Sequence, residues 1–256
     1  MLNSFSSLVG SSITATDGAI GFVKAAFFDD QSWAIRYLVV DTGQWLTRHE
    51  VLISPYALKQ PLGSGKNLDT RLTRDQVKGS PDIDTHQTVS RQHERAYLNY
   101  YGYPEYWAGD AIWGMSAYPV LPMNPAPATE LAEDRAVRLR DQHNDDVHLR
   151  SSVAVTGYHI EATDGNIGHI QDFVFDDESW SIRYLVVDTR NWWPGGTKVL
   201  IATQWVEHID WATRMVRVSI TREQVRYSPE YHEASPLARD DEKQLHNAYS
   251  RQGYWE

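Results

Sequence analysis

Residues 15–42 read ATDGAIGFVKAAFFDDQSWAIRYLVVDT, two apolar runs separated by an acidic turn. Asp-Gly tolerates the positive φ of a tight primed turn, so Thr16-Asp17-Gly18 predicts a hairpin connection into a strand over 20–28. Asp29-Asp30-Gln31-Ser32 predicts a second turn, and residues 33–41 a second strand rich in β-branched residues. Trp33, Ile35, Tyr37 and Val39 alternate with Ala34, Arg36, Leu38 and Val40. Apolar side chains on both faces predict a strand covered on both sides. Shorter strands follow at 51–53 and 68–72. Thr73 then stands as a helix N-cap with Asp75 in the first turn, and Pro81 stops that helix. Residues 90–101 predict one amphipathic helix with Glu94, Leu98 and Tyr101 near one side.

The pattern is written twice. Residues 162–189 repeat 15–42 at an offset of 147, with 19 of 28 positions identical. After a one-residue insertion the offset becomes 148 and holds to the end. VLI at 51–53 returns at 199–201, and LTRDQVKGSP at 72–81 returns as ITREQVRYSP at 220–229. Residues 215–220 are the clearer copy of the 68–72 strand, and 238–249 repeat the amphipathic helix. Arg91, Glu94, Tyr106 and Trp107 recur as Arg239, Glu242, Tyr254 and Trp255. This period is that of a duplicated domain, far longer than a solenoid repeat.

The organisation read from this is a first repeat over 1–107, a Pro-rich acidic linker over 108–149, and a second repeat over 150–256. Pro119, Pro122, Pro125 and Pro127 stiffen the start of the linker, and 129–141 predicts a short helix capped by Thr129. Short strands, tight turns and the strand glycines Gly21 and Gly168 predict an all-β fold. The expectation is two small antiparallel barrels, each followed by a short helical, aromatic-rich tail, packed as a pseudo-twofold pair.

Composition narrows the chemistry. The absence of cysteine excludes a disulfide framework, a thiolate metal site, a cysteine nucleophile and an iron–sulfur cluster. The net charge of −10 leaves no part with a positive excess: −1 for the first repeat (1–107), −4 for the linker (108–149) and −5 for the second repeat (150–256). Nucleic-acid binding is therefore not expected. No stretch approaches the roughly 18 apolar residues of a membrane span, and the first residues lack a basic and long apolar leader pattern. A cytoplasmic protein without membrane insertion is expected.

G-x-I-G-x-(V/I), the DD-x-S-W turn, IRYLVVDT, the VLI strand, (L/I)TR-x-QV-x-x-SP and the terminal Tyr-Trp occur in the same order in both repeats. Together they resemble the PRC-barrel family, named for the cytoplasmic domain of the photosynthetic reaction-centre H subunit. The resemblance covers about residues 8–107 and 155–255. It implies a small β-barrel of bacterial type used in protein interaction or assembly, and no shared catalytic residues. The transmembrane helix of the H subunit has no counterpart here.

Candidate sites are few. Asp29, Asp30, Asp176 and Asp177 could hold a divalent cation, although adjacent Asp residues in turns ordinarily bond nearby backbone N–H groups. Asp41 and Asp188, with Arg36 and Arg183 in the same strands, read as turn caps or ion pairs. None of the ten His recurs at the repeat offset (His49, for one, faces Thr197), and a metal cofactor is not expected. Gly63-Ser64-Gly65-Lys66 lacks the first Gly and the final Ser or Thr of a phosphate-binding loop. The aromatic tails remain: Tyr97, Tyr100, Tyr101, Tyr103, Tyr106 and Trp107, then Tyr254 and Trp255. They form either a partner surface or a cover for the strands, with both Trp expected to be buried. The expected function is non-enzymatic: assembly with a protein partner, a homo-oligomer being one form it could take. The competing class is a ligand- or ion-responsive regulatory protein, with the Asp turns or a groove between the repeats as its site.

Overall fold

The computed structural model describes residues 1–47, 50–59, 67–81, 89–121, 148–190, 192, 195–233 and 236–256. The helix expected at 129–141, the linker prolines 122, 125 and 127, His49 and the 63–66 loop lie outside the described residues.

In the first repeat, β1 (Leu2–Ser4) and a single helical turn, α1 (Phe5–Leu8), precede β2 (Ser12–Ala15), β3 (Gly18–Asp29), β4 (Ile35–Asp41), β5 (Glu50–Ile53) and β6 (Asn67–Asp69). Helices α2 (Arg74–Gly79) and α3 (Arg91–Tyr101) follow. The second repeat runs β7 (Leu149–Ser151), α4 (Ser152–Val155), β8 (His159–Ala162), β9 (Gly165–Asp176), β10 (Ser181–Asp188), β11 (Lys198–Ala202), β12 (Val206–Asp210) and β13 (Met215–Val218). It ends with α5 (Arg222–Arg226) and α6 (Arg239–Ala248). The regular structure is mostly strand, arranged in two sheets.

Local chemistry explains the recurring elements. Ala15 pairs with Gly18 and Ala162 with Gly165, so each Asp-Gly turn joins two antiparallel strands. β4 is buried from Ile35 to Val40, as its two apolar faces require. Thr73 and Thr221 each accept a hydrogen bond from the third helical residue, Gln76 or Gln224, whose side chain reaches back to the cap in a capping box. A Cβ on Gly21 or Gly168 would collide with the carbonyl of Asp41 or Asp188, so close approach between strands requires glycine at both places. Trp33, expected to open the second strand, and its counterpart Trp180 fall outside the strands that form, which start at Ile35 and Ser181. Each ends its acidic turn in the left-handed region, at φ 56° and 57°.

The sheets follow the same plan. In one, the order is β5-β4-β3-β2-β6, with only β2 and β6 parallel. In the other, it is β11-β10-β9-β8-β13-β12, with only β8 and β13 parallel. Among the described residues no ladder joins the two ends of either path, so each sheet is open where a closed barrel was expected. The free edge of β3 beyond β2 is occupied from the other repeat, by β7, and that of β9 by β1. Leu2 pairs with Asp176 and Leu149 with Asp29, which are the same pair shifted by the repeat offset. The acidic turns also pair across the repeats: Ile35 N–H donates to Trp180 O and Ile182 N–H to Trp33 O, both at 2.7 Å. Ala34 bridges its own counterpart, Ser181.

The core crosses the same junction. One contiguous set of buried apolar residues runs through both repeats. Phe28 lies 5.8 Å from Phe173 between ring centres, and Phe5 meets Phe175 edge-on. Trp113, from the start of the linker segment, is buried and donates its indole N–H to Ser179 O at 2.7 Å. No helix among the described residues is long and apolar enough to cross a membrane.

Candidate functional site

The acidic turns sit at the junction, and their carboxylates have partners inside the fold. Asp29 accepts from the backbone N–H groups of Gln31 and Ser32 at 3.0 and 2.9 Å, and Asp176 accepts from Glu178 N–H and Ser179 Oγ. Asp30 takes Nε of Arg150 at 2.8 Å, and Asp177 takes Nδ2 of Asn3 at 3.1 Å. Arg150 and Asn3 are equivalent positions in β7 and β1. The first Asp of each turn therefore closes the turn, and the second holds the strand that arrives from the other repeat. Among the described residues no three His, Asp or Glu side chains gather as a metal site.

The strand arginines do not pair with the strand-end aspartates. Arg36 is buried, donates to Ile112 O at 2.7 Å and to Ser32 Oγ at 3.0 Å, and lies 3.7 Å above the ring of Tyr106. Its nearest carboxylate is Asp29, at 3.7 Å. Arg183 covers Tyr254 at 4.2 Å. Asp41 accepts from Gly43 N–H, while Asp188 is gripped by the Arg190 guanidinium, which holds its carboxyl down at about 2.

A polar centre that the sequence reading had not singled out lies beneath each tail. Glu94, on α3, is buried, and its Oε1 accepts from Tyr106 at 2.5 Å and Tyr37 at 3.3 Å. Arg91 reaches Oε2 at 3.2 Å. Burial is the largest influence on this carboxyl and lifts it to about 7 against the pull of Arg91, the Tyr106 hydroxyl and Arg36. Glu242, on α6, repeats the arrangement with Tyr184 Oη at 2.8 Å and Arg239 at 2.8 Å. His246 joins there, its Nε2 3.0 Å from Tyr184 Oη, and burial lowers its affinity for a proton. The available signal was the recurrence of Arg91, Glu94 and Tyr106 as Arg239, Glu242 and Tyr254 within tails that diverge at most other positions.

These centres fasten the tails. Tyr97 is buried, donating to Leu52 O at 3.0 Å and accepting from Ser54 N–H at 3.1 Å, so α3 is pinned to β5. Tyr103 and Tyr106 are also buried, and Tyr101 stacks on Tyr103. Tyr100 is exposed. Trp107, Tyr254 and Trp255 are half-buried, so the full burial expected for the two Trp is not what the fold gives them. They do occupy equivalent places, each edge-on to its preceding Tyr and beneath Arg91 at 4.1 Å or Arg239 at 4.5 Å. Of the buried tyrosines in the first tail Tyr106 donates to Glu94, whereas in the second copy the hydroxyl on Glu242 comes from Tyr184 on β10. Trp107→Ala and Trp255→Ala are accordingly expected to lower stability by about 1–2 kcal/mol each, in the ordinary range for partly buried side chains. Urea denaturation checks this; a loss above about 4 kcal/mol would mean that the indoles, not the tyrosines, hold the tails.

Among the described residues, a run of exposed apolar side chains lies just beyond the first tail. Met115, Tyr118, Val120 and Leu121 are 92%, 48%, 55% and 41% exposed, four large apolar residues within seven positions. No family model matches the chain, and no curated protein matches it.

Proposed function

We propose that this chain is a non-catalytic assembly module, a tandem member of the PRC-barrel family, that works in the cytoplasm by holding a protein partner. In this reading the two open sheets are barrels completed by each other's first strand, and the repeats are related by an approximate twofold axis through Ala34 and Ser181. The reciprocal pairs at that junction support it. The repeated polar residues serve the fold in both copies, Glu94 and Glu242 under the tails and the four turn aspartates at the junction. The observation that carries the partner is the exposed 115–121 run. Isolated exposed apolar residues are ordinary, whereas four large ones within seven positions favour an interaction surface.

The test uses the full chain and the triple variant Met115→Ser, Val120→Ser, Leu121→Ser. These side chains are exposed, so the variant is expected to melt within about 0.5 kcal/mol of the parent. Affinity capture from extract of the native cell should retain a stoichiometric protein on the parent and lose it, by about tenfold or more, on the variant. The same proteins retained equally by both would remove the 115–121 surface from the proposal.

A further inference from the structure

The two repeats share a plan, and one face of their junction has been rebuilt. A cleft of about 520 Å³ opens there, walled by Phe27, Val39, Lys24, Arg150, Tyr158 and Trp211. That is within the volume range of small-molecule sites, about 300–1,000 Å³. At the repeat offset the residues opposite Arg150, Tyr158 and Trp211 are Asn3, Ser11 and Gly63, and Val153 on the lip stands opposite Ser6. Sequence positions that hold small or uncharged polar residues in one repeat hold aromatic, apolar and cationic ones in the other. The ladders do not need the exchange at Arg150, since β1 and β7 pair alike with Asn3 or Arg150 in that position.

The chemistry of the wall is specific. Arg150 lies over the Trp211 ring at 4.0 Å, and Tyr158 meets Trp211 at 6.1 Å between ring centres. Asp30 occupies Nε of Arg150, which fixes the plane of the guanidinium. Its two Nη groups have no hydrogen-bond acceptor among the described residues. A guanidinium held in this way presents a flat two-donor fork, the geometry that matches a carboxylate. Glu50 on the far rim is neutralised by Lys24, Nζ to Oε1 at 2.5 Å, so it does not oppose an anion. The neighbouring groove, about 260 Å³, sets two carboxylates, Asp172 and Glu233, against one cation, Lys24.

We infer that the cleft binds a small aromatic carboxylic acid, its ring between Trp211, Tyr158 and the Phe27–Val39 floor and its carboxylate on the Arg150 Nη fork. The site is independent of the 115–121 surface, and its residues span both repeats.

Isothermal titration of the full chain with 2-naphthoate tests this, with 2-naphthamide as the uncharged isostere. One saturable site is expected for 2-naphthoate, and binding of the amide at least about tenfold weaker. Arg150→Met keeps the stem on Trp211 and removes the fork. Trp211→Gly installs the residue of the other repeat in an exposed turn. Each should weaken 2-naphthoate by about tenfold or more. Tyr158→Ser replaces Arg150→Met should the loss of the Asp30 partner lower the melting temperature. No saturable binding up to about 5 mM, equal binding of acid and amide, or binding unchanged by Trp211→Gly would overturn the inference.

Discussion

Trp180→Ala is expected to destabilise the protein by about 3–5 kcal/mol, the range for removing a large aromatic from a packed core. Trp180 is fully buried, with its ring 5.4 Å from Phe175. Its carbonyl accepts from Ile35 across the junction, and its own N–H closes the acidic turn on Asp176 O at 2.7 Å. The left-handed backbone at φ 57° opposes this packing, since an L side chain there costs about 1–2 kcal/mol. Trp180→Gly should therefore cost no more than Trp180→Ala, because glycine adopts that φ without the steric clash. Because β1 and β7 cross between the sheets, the loss should appear in a single unfolding transition. Guanidinium denaturation followed by far-UV circular dichroism measures both. A Trp180→Ala loss below about 1 kcal/mol would show that the junction does not depend on this ring.

The second large effect is on pH. Glu94 ionises at about 7 in the folded protein against an ordinary 4.5, with burial the main cause. Below the lower value both states are protonated and the group is neutral in its effect on folding. Between the two the unfolded chain loses the proton first, so the folded state binds more protons and stability falls as pH rises. The full span amounts to about 3 kcal/mol, complete above pH 7. Glu94→Gln removes this dependence, and the difference between parent and variant from pH 5 to 8 isolates it. His246 acts in the opposite direction: its lowered proton affinity removes stability as pH falls below its ordinary 6.5. The variant should keep that second dependence. Parallel pH profiles for the two proteins would mean that Glu94 stays ionised through the range.

The hairpin turns, the long strands and the capped helices were legible because each depends on neighbours in sequence. Asp17-Gly18 sets its own turn, Thr73 caps its own helix, and the alternation in 35–40 requires cover on both faces wherever the chain goes. Duplication was legible for the same reason, as identity at a constant offset. The acidic turns were legible as turns, but their second aspartates were not legible as anchors. Asp30 meets Arg150, and Asp177 meets Asn3, only because each first strand crosses to the other repeat. Three-residue strands such as β1 and β7 carry too short a pattern to announce themselves, and their stability comes from the edge they fill. The buried Glu94 centre was hidden in an ordinary amphipathic helix: a glutamate there is usually solvated, and only the packing of α3 against β4 and the tail removes it from water. Tertiary structure also decided that Tyr97, Tyr103 and Tyr106 are buried while Trp107 and Trp255 are half-buried, and that Glu94 meets the hydroxyl and guanidinium donors a carboxylate in a dry site must have. Local sequence thus determined the elements and their repetition, and long-range packing determined which groups meet, since desolvation and cross-strand pairing depend on contacts more than 100 residues apart.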